Sequence, residues 1–473
     1  MEENRKMDLN TRLKGLQDEY QRNPYPSLTE RKKLLLTIKK MLQKDAYSLA
    51  EAVSKDFTYR AEQETLFLEI FPTIKAINFC LKKLKLWMKK KSRNVSWMFA
   101  PASAYLIPQP LGIVGIMVPW NYPVYLALVP AVYALAAGNR VMIKMSELSP
   151  NTARTLQSLV HSSAVGDFIQ VIDGDVEVSK QFASLPFGHL LFTGSTSVGK
   201  SVMSAASQNL TPLTLELGGK SPALLSSSMN PKYFKRLFMG KLFNAAQTCI
   251  APDYLLIPNG WEGKIQEEFR NFIHIHYPDL MNNEHYSSII SEHHKQRLLD
   301  FVQDAKNKGA QVVEFGELNP ANNKIPIFLL LGATREMKVM QEEIFGPILP
   351  IICYKEVSEA VEYIKSYPNP LALYYFGEDD EEIEYIQIQT LSGALTINDT
   401  IMHIAIDDLP FGGVGMSGMG QYHGEEGFNT FSKLKPVFVQ SRYSTISWLY
   451  PPYGKLLNVI LAKIGGIKIK KNR

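Results

Sequence analysis

Cysteine is scarce in this chain: Cys80, Cys249 and Cys353 are the three among 473 residues. They support no disulfide framework, and their scarcity fits a reducing compartment, so a cytoplasmic protein is expected. No Cys/His cluster has zinc spacing, and no His-x-x-x-His sits in a helical Glu context, so no metal site is expected. Charge of one sign is also lacking. Lys and Arg number 51 against 46 Asp and Glu, a balance of +5. With no finger, helix-turn-helix or RNA-reading signature, nucleic acid is not an expected partner. A clean apolar run of membrane length is missing: the uncharged stretch Leu111 to Gly138 is broken by Pro119, Asn121, Pro123 and Pro130. The start, MEENRKMDLN, is too polar and charged for a secretory signal. The spaced glycines of the usual dinucleotide fingerprint do not follow the first strand, and no Walker A spacing precedes Gly199-Lys200.

Apolar residues are plentiful, at 45%, enough for a large core, and the length predicts two or three domains. Residues 1–100 read mostly as helices, with LTERKKLLLTIKKMLQ capped at Thr29 and a second stretch through AEQETLFLEIFPTIKAINFCLKKLK. No obvious chemistry lies there. The basic run Lys82 to Arg93, with Trp87 inside it, reads as a solvated helix face or a subunit contact.

From Gly112 to about Ser207 strands alternate with helices: LGIVGIMVP, a helix closed by Gly138, VMIK, a helix opened by Ser149-Pro150, FIQVI, a short helix near Val176 to Phe182, HLLFTG and a helix in STSVGKSVMSAAS. That spacing predicts βαβ units and a parallel sheet, which binds ligands beyond its carboxyl ends. Gly194 ends a strand and Ser195 starts a helix, where free N–H groups can hold a phosphate. A second α/β unit runs from about Asn230 to Gly393, with a capping box at Asp379 and Glu382. A Gly-rich loop spans Pro410 to Gly424.

Several residues admit two readings. Cys249, in NAAQTCIAPD, is a buried small hydrophobe or a nucleophile. Glu216, in LTLELGGKSP, is a turn acid or a base. Asn121, in PWNYP, caps a helix or donates to an oxyanion. Lys144 and Glu147, around the end of VMIK, form a surface pair or reach ribose hydroxyls.

The ordered set PWNYP, KMSE, FTGSTSVGK, LELGGKSP, NAAQTC, EEIFGP and LPFGGVGMSGMG resembles the NAD(P)+-dependent aldehyde dehydrogenase superfamily over nearly the whole chain. NAAQTCIAPDYLL and PFGGVGMSGMGQYHGEEGFNTFSK resemble its class 3 branch, and within it the bacterial coniferyl aldehyde dehydrogenases. The resemblance implies an α/β fold with a Rossmann-like coenzyme domain, an α/β catalytic domain and a small bridging element. The expected divisions are 1–82 with 102–226, 227–395, and 83–101 with 396–440, followed by a tail, 441–473. It implies that Cys249 attacks an aldehyde, that Asn121 and the Cys249 N–H hold the oxyanion, and that Glu216 activates water for the thioester. It assigns Lys144 and Glu147 to the adenosine ribose, Ser195 to the pyrophosphate and Glu343 to the nicotinamide ribose with Phe345 packed close by, and it counts Trp120 and Gly194 among the coenzyme-binding residues. NAD+ is the implied coenzyme with NADP+ also accepted, an aromatic or medium-chain aldehyde the substrate, and a homodimer the assembly.

Two departures from the family pattern stand out. Met145 replaces a proline, which frees one torsion at the adenosine pocket. Ala246 replaces a glycine, which strains the loop if φ is positive there. That strain is the one feature favouring an alternative, a non-catalytic nucleotide-binding relative. The tail carries Trp448, Tyr450, Tyr453, Lys455, Lys463, Lys468, Lys470, Lys471 and Arg473. It reads as a segment folded over the substrate funnel or a partner subunit, or as a peripheral membrane contact.

Overall fold

Three sheets organise the chain. The computed structural model describes residues 8–319 and 322–469; the charged start through Met7, and Lys470, Lys471 and Arg473 of the tail, lie outside them, as does the Trp448 side chain. The first sheet has six strands, in the order Gly418–Met419, Leu213–Leu217, His189–Gly194, Ile113–Met117, Arg140–Lys144, Ile169–Ile172. All its pairings are parallel except that of Gly418–Met419. The strands alternate with a period of two. Ile113, Met117, Met142, Leu190 and Phe192 face one core, closed by Leu9, Leu13 and Leu16 of helix Leu9–Arg22. Val114, Ile116, Val141, Ile143 and Leu191 face the other, covered by helices Leu28–Asp56, Pro123–Ala136 and Pro150–His161. Pro123–Ala136 is buried on every face, which accounts for its unbroken apolar text. Among the described residues no helix is long and apolar enough to cross a membrane.

The second sheet has seven strands, Gln311–Phe315, Ile327–Leu331, Ile348–Tyr354, Tyr254–Pro258, Pro222–Leu225, Ala372–Phe376 and Ala394–Ile397, with only the first pairing antiparallel. The third is a three-stranded antiparallel ribbon of Lys91–Arg93, Ser103–Pro110 and Ser432–Val439. Two strands therefore lie away from the units expected for them. Pro222–Leu225, ahead of the 226/227 division, pairs into the seven-stranded sheet. Ser103–Pro110, expected in the coenzyme unit, is the centre of the ribbon.

Three expected caps are drawn differently. Helix Leu28–Asp56 is capped by Ser27 rather than Thr29, in a full capping box with Glu30. Ser149 precedes helix Pro150–His161 but its hydroxyl turns back to the Ser146 carbonyl. The first amides are instead taken by Asp56 from the end of another helix. Asp379 caps helix Asp380–Gln389, but Glu382 accepts from the Tyr375 hydroxyl at 2.6 Å and does not close a box. The run Lys82 to Arg93 leaves Lys82, Lys85, Lys89, Lys90 and Arg93 exposed while Trp87 is buried.

Candidate active site

In the six-stranded sheet the order reverses between Ile113–Met117 and His189–Gly194, and a crevice at such a point is where open α/β sheets take ligands. The carboxyl ends there carry the expected residues: Trp120 and Asn121 after the first strand, Lys144 and Glu147 at the second, Gly194 and Ser195 at the third, and Glu216 near the end of Leu213–Leu217.

Cys249 sits in a turn after a strained segment. Asn244, Ala245 and Ala246 have φ of 53°, 49° and 62°, three consecutive non-glycine residues in the left-handed region. The strain expected at Ala246 is present and extends to both residues before it. Gln247 holds the loop: its side-chain amide donates to the Asn244 and Ser288 carbonyls and its oxygen accepts from the Ile290 N–H. Asn121 Nδ2 donates to the Gln247 carbonyl at 3.2 Å, which brings the oxyanion candidate to the nucleophile loop. Tyr122 hydroxyl and Thr248 Oγ1, 2.7 Å apart, join the same two segments.

Two acids face the thiol. Burial first, then the Glu343 and Glu216 carboxylates, push the Cys249 thiol up to about 12. Burial pushes Glu343 up to about 8, with Asp253 adding to it. Glu216 is 2% exposed, and neither carboxylate oxygen has a hydrogen-bond partner among the described residues. Burial alone holds it well above the usual carboxylate range. A carboxylate so placed is a candidate for proton transfer. A Cβ on Gly218 would fall on the Glu343 carboxylate, so the glycine makes room for that acid. Phe345 has φ of 55° and meets the Trp120 ring edge-on at 5.4 Å.

The coenzyme positions fit a dinucleotide. Helix Thr196–Ser207 opens at exposed Ser195 and Ser197, and Ser195 Oγ accepts from the Val198 N–H, which leaves an anion-friendly helix start at the crevice. Glycines let that helix lie close: a Cβ on Gly194 would meet the Phe192 ring and one on Gly199 the Leu217 side chain. Lys144 is buried, with Nζ on the Met145 and Gly174 carbonyls at 2.6 and 2.8 Å; an ammonium has a third proton to give. Burial lowers its pKa and Glu147 opposes the shift. Glu147 itself is exposed. The expected loosening at Met145 is not found. Its side chain is fully buried and its N–H donates to the Ile172 carbonyl at 2.9 Å, a bond proline cannot make.

The reading of residues 1–100 as without chemistry missed three. Arg60, Glu64 and Glu69 reach both the Asn121 turn and the Asn244 loop. No spacing marks them, because charged residues on helical text look solvated until the fold buries them.

Residues 7–437 match the family described as the aldehyde dehydrogenase family. A probable coniferyl aldehyde dehydrogenase of Pseudomonas aeruginosa is 47% identical over 447 residues, covering 94% of each chain. The coniferyl aldehyde dehydrogenase of a Pseudomonas species is 41% identical, covering 89% of each. Among solved structures, Staphylococcus aureus AldH in a substrate-bound state superposes with a TM-score of 0.91 at 35% identity, over 96% of this chain and 99% of that one.

Proposed function

The chain belongs to the aldehyde dehydrogenase family and oxidises aldehydes to carboxylic acids with NAD(P)+, and from that premise we propose that Cys249, Asn121 and Glu216 carry the reaction. The observation supporting this most is the convergence of a partly buried thiol with a buried carboxylate that has no hydrogen-bond partner among the described residues, near the carboxyl end of a parallel strand. Cys249, its thiol proton first lost to solvent, adds as the thiolate through Sγ to the aldehyde carbonyl, and Asn121 Nδ2 with the Cys249 N–H donates to the oxygen that gains charge. NAD(P)+, when bound, accepts the hydride from the former aldehyde carbon. That carbon is then a thioester on Sγ. Glu216 takes a proton from the water that attacks it, the C–S bond breaks, and the acid leaves. Lys144 and Glu147 hold the adenosine ribose, Gly194 and Ser195 the pyrophosphate. Glu343 holds the nicotinamide ribose, with Phe345 and Trp120 packed beside it.

The substrate we propose is an aromatic aldehyde of the coniferyl kind, or a medium-chain one. Relatives named for coniferyl aldehyde support this, as do exposed Phe67 and Phe71 on the helical segment beside the nucleophile loop, where Phe67 meets Phe243 at 6.4 Å. We propose the cytoplasm as its location and a homodimer as its assembly, supported by the ribbon's edge strand Ser432–Val439 with Phe438 and Val439 exposed. The three sheets support a reading as coenzyme, catalytic and bridging units.

An aldehyde panel with each coenzyme, followed by NAD(P)H absorbance, tests this. Turnover is expected, with higher kcat/KM for aromatic or medium-chain aldehydes than for acetaldehyde. Cys249→Ala should bind coenzyme and form no NAD(P)H. A clear advantage for acetaldehyde reverses the substrate reading. Absence of turnover throughout favours the non-catalytic alternative, for which the strain at Ala246 speaks.

A further inference from the structure

Arg60 and Glu69 have no exposed side-chain surface and lie 2.9 Å apart, in a part of the chain to which the reaction assigns nothing. Each also reaches the oxyanion turn. Arg60 Nη1 donates to the Asn121 carbonyl at 3.2 Å. Glu69 Oε2 accepts from the Val124 and Tyr125 amides at 2.8 and 3.1 Å, at the start of the helix that follows. Arg60 also lies over the Tyr122 ring, 4.9 Å from its centroid. Glu64, 3.6 Å from Arg60 Nε, reaches the other side of the site. Its Oε1 accepts from the Asn244 N–H at 2.5 Å and its Oε2 from the Ser287 hydroxyl at 2.6 Å. Asn244 closes the circuit, because its Nδ2 donates to the same Asn121 carbonyl at 3.1 Å.

A buried ion pair is a poor device for stability alone, since well-packed apolar residues of the same volume serve as well or better. What charge adds here is direction. The Asn121 carbonyl receives two donors, so its peptide plane is fixed and its side-chain amide is aimed at the Gln247–Cys249 segment. The Asn244 N–H is held at the first of three left-handed residues, a backbone that persists only where its surroundings over-determine it. We propose that Arg60, Glu64 and Glu69 form a buried charge clamp that sets the nucleophile loop, residues 244–249, against the oxyanion turn, residues 120–122. They are positioning residues, acting through Asn121 and Asn244, and the proposal rests on the roles given above to Asn121 and Cys249.

The test uses Glu64→Gln, which keeps shape and acceptor but removes the charge, and Arg60→Lys, which keeps the charge but loses the fork. Two quantities are read: the pre-steady-state rate of NADH formation, and the rate of Cys249 alkylation by iodoacetamide against pH in coenzyme-free protein. Both variants should slow the first tenfold or more and shift the second at least threefold, with the KM for NAD+ within twofold of the parent. Ser287→Ala removes one donor from Glu64 and should give a smaller change in the same direction, which keeps the test open if a charge variant fails to fold. Folded variants with parental burst and alkylation rates, beside an inactive Cys249→Ala, overturn the clamp alone. An active Cys249→Ala overturns the assignment of the nucleophile, and the clamp with it.

Discussion

As the proposed base, Glu216 must be ionised to take a proton from water, yet its pocket favours the neutral acid, because burial raises its pKa and no donor among the described residues offsets the cost. The sign of the pH dependence follows. As pH falls through the raised pKa the base form is lost, so steady turnover should decline while the first equivalent of NADH still forms. Glu216→Gln should mimic this at every pH, with a stoichiometric burst, very slow turnover, and an acyl adduct on the Cys249 peptide by mass spectrometry of the quenched protein. A variant with neither burst nor adduct would place Glu216 before hydride transfer, at the thiol. Normal steady turnover would remove it from the mechanism and leave Glu343, already pushed up to about 8, as the next base. Coenzyme discrimination belongs to this scale too. Glu147, the proposed ribose contact, is exposed; a carboxylate in that role suits ribose hydroxyls and repels an added phosphate. Glu147→Gln should lower the KM for NADP+ relative to that for NAD+; an unchanged ratio rejects this account. Cys249, Glu216 and Asn121 each had a bland alternative in local sequence, and only their ordered motifs separated the readings. Arg60, Glu64 and Glu69 had no motif, and their burial depends on partners as far away as Asn244 and Ser287.

Among the elements, the types were legible and the ends were not. Apolar periodicity is a property of a segment by itself, so the parallel strands and the helices between them could be read directly. A cap depends on which group reaches the first amides, and that group can come from elsewhere. Helix Pro150–His161 shows it: Asp56 Oδ1 and Oδ2 accept from the Asn151 and Thr152 amides at 2.8 and 2.9 Å, and from the Asn151 side-chain amide and Thr152 hydroxyl. Asp56 ends helix Leu28–Asp56, so one carboxylate fastens that helix to helix Pro150–His161 beside it on the six-stranded sheet. Asp56→Ala should therefore cost about 2 kcal/mol, the upper end for a lost cap, seen as a lower Tm with kcat kept. Ser149→Ala should cost clearly less, since its hydroxyl caps nothing. Equal losses from the two would return the cap to Ser149. Ser103–Pro110 falls outside the expected bridging divisions for a related reason: its partner Ser432–Val439 is more than 300 residues away, and pairing alone decides its sheet.

At the scale of the whole molecule, the tail is the part least tied to the rest. The family match ends at residue 437. The turn Thr445–Leu449 touches the turn Trp97–Phe99, but helix Lys455–Lys463 has no buried residue, with Leu456 at 46% and Val459 at 48% exposure. A nine-residue helix is marginal in water by itself, so it gains stability from whatever covers those side chains. Two covers suit its chemistry, a partner subunit and an anionic membrane surface. Charge argues for the partner. Residues 441–473 contain no Asp or Glu, yet the whole chain has an excess of only +5, so the body that a partner presents is slightly acidic. Ending the chain after Pro452 should weaken the proposed dimer in sedimentation velocity, tenfold or more in dissociation constant. Truncated and intact chains should pellet equally with vesicles rich in anionic lipid. An unchanged dimer together with vesicle binding by the intact chain alone would assign the tail to the membrane surface, with Lys455, Lys463 and Lys468 toward the head groups.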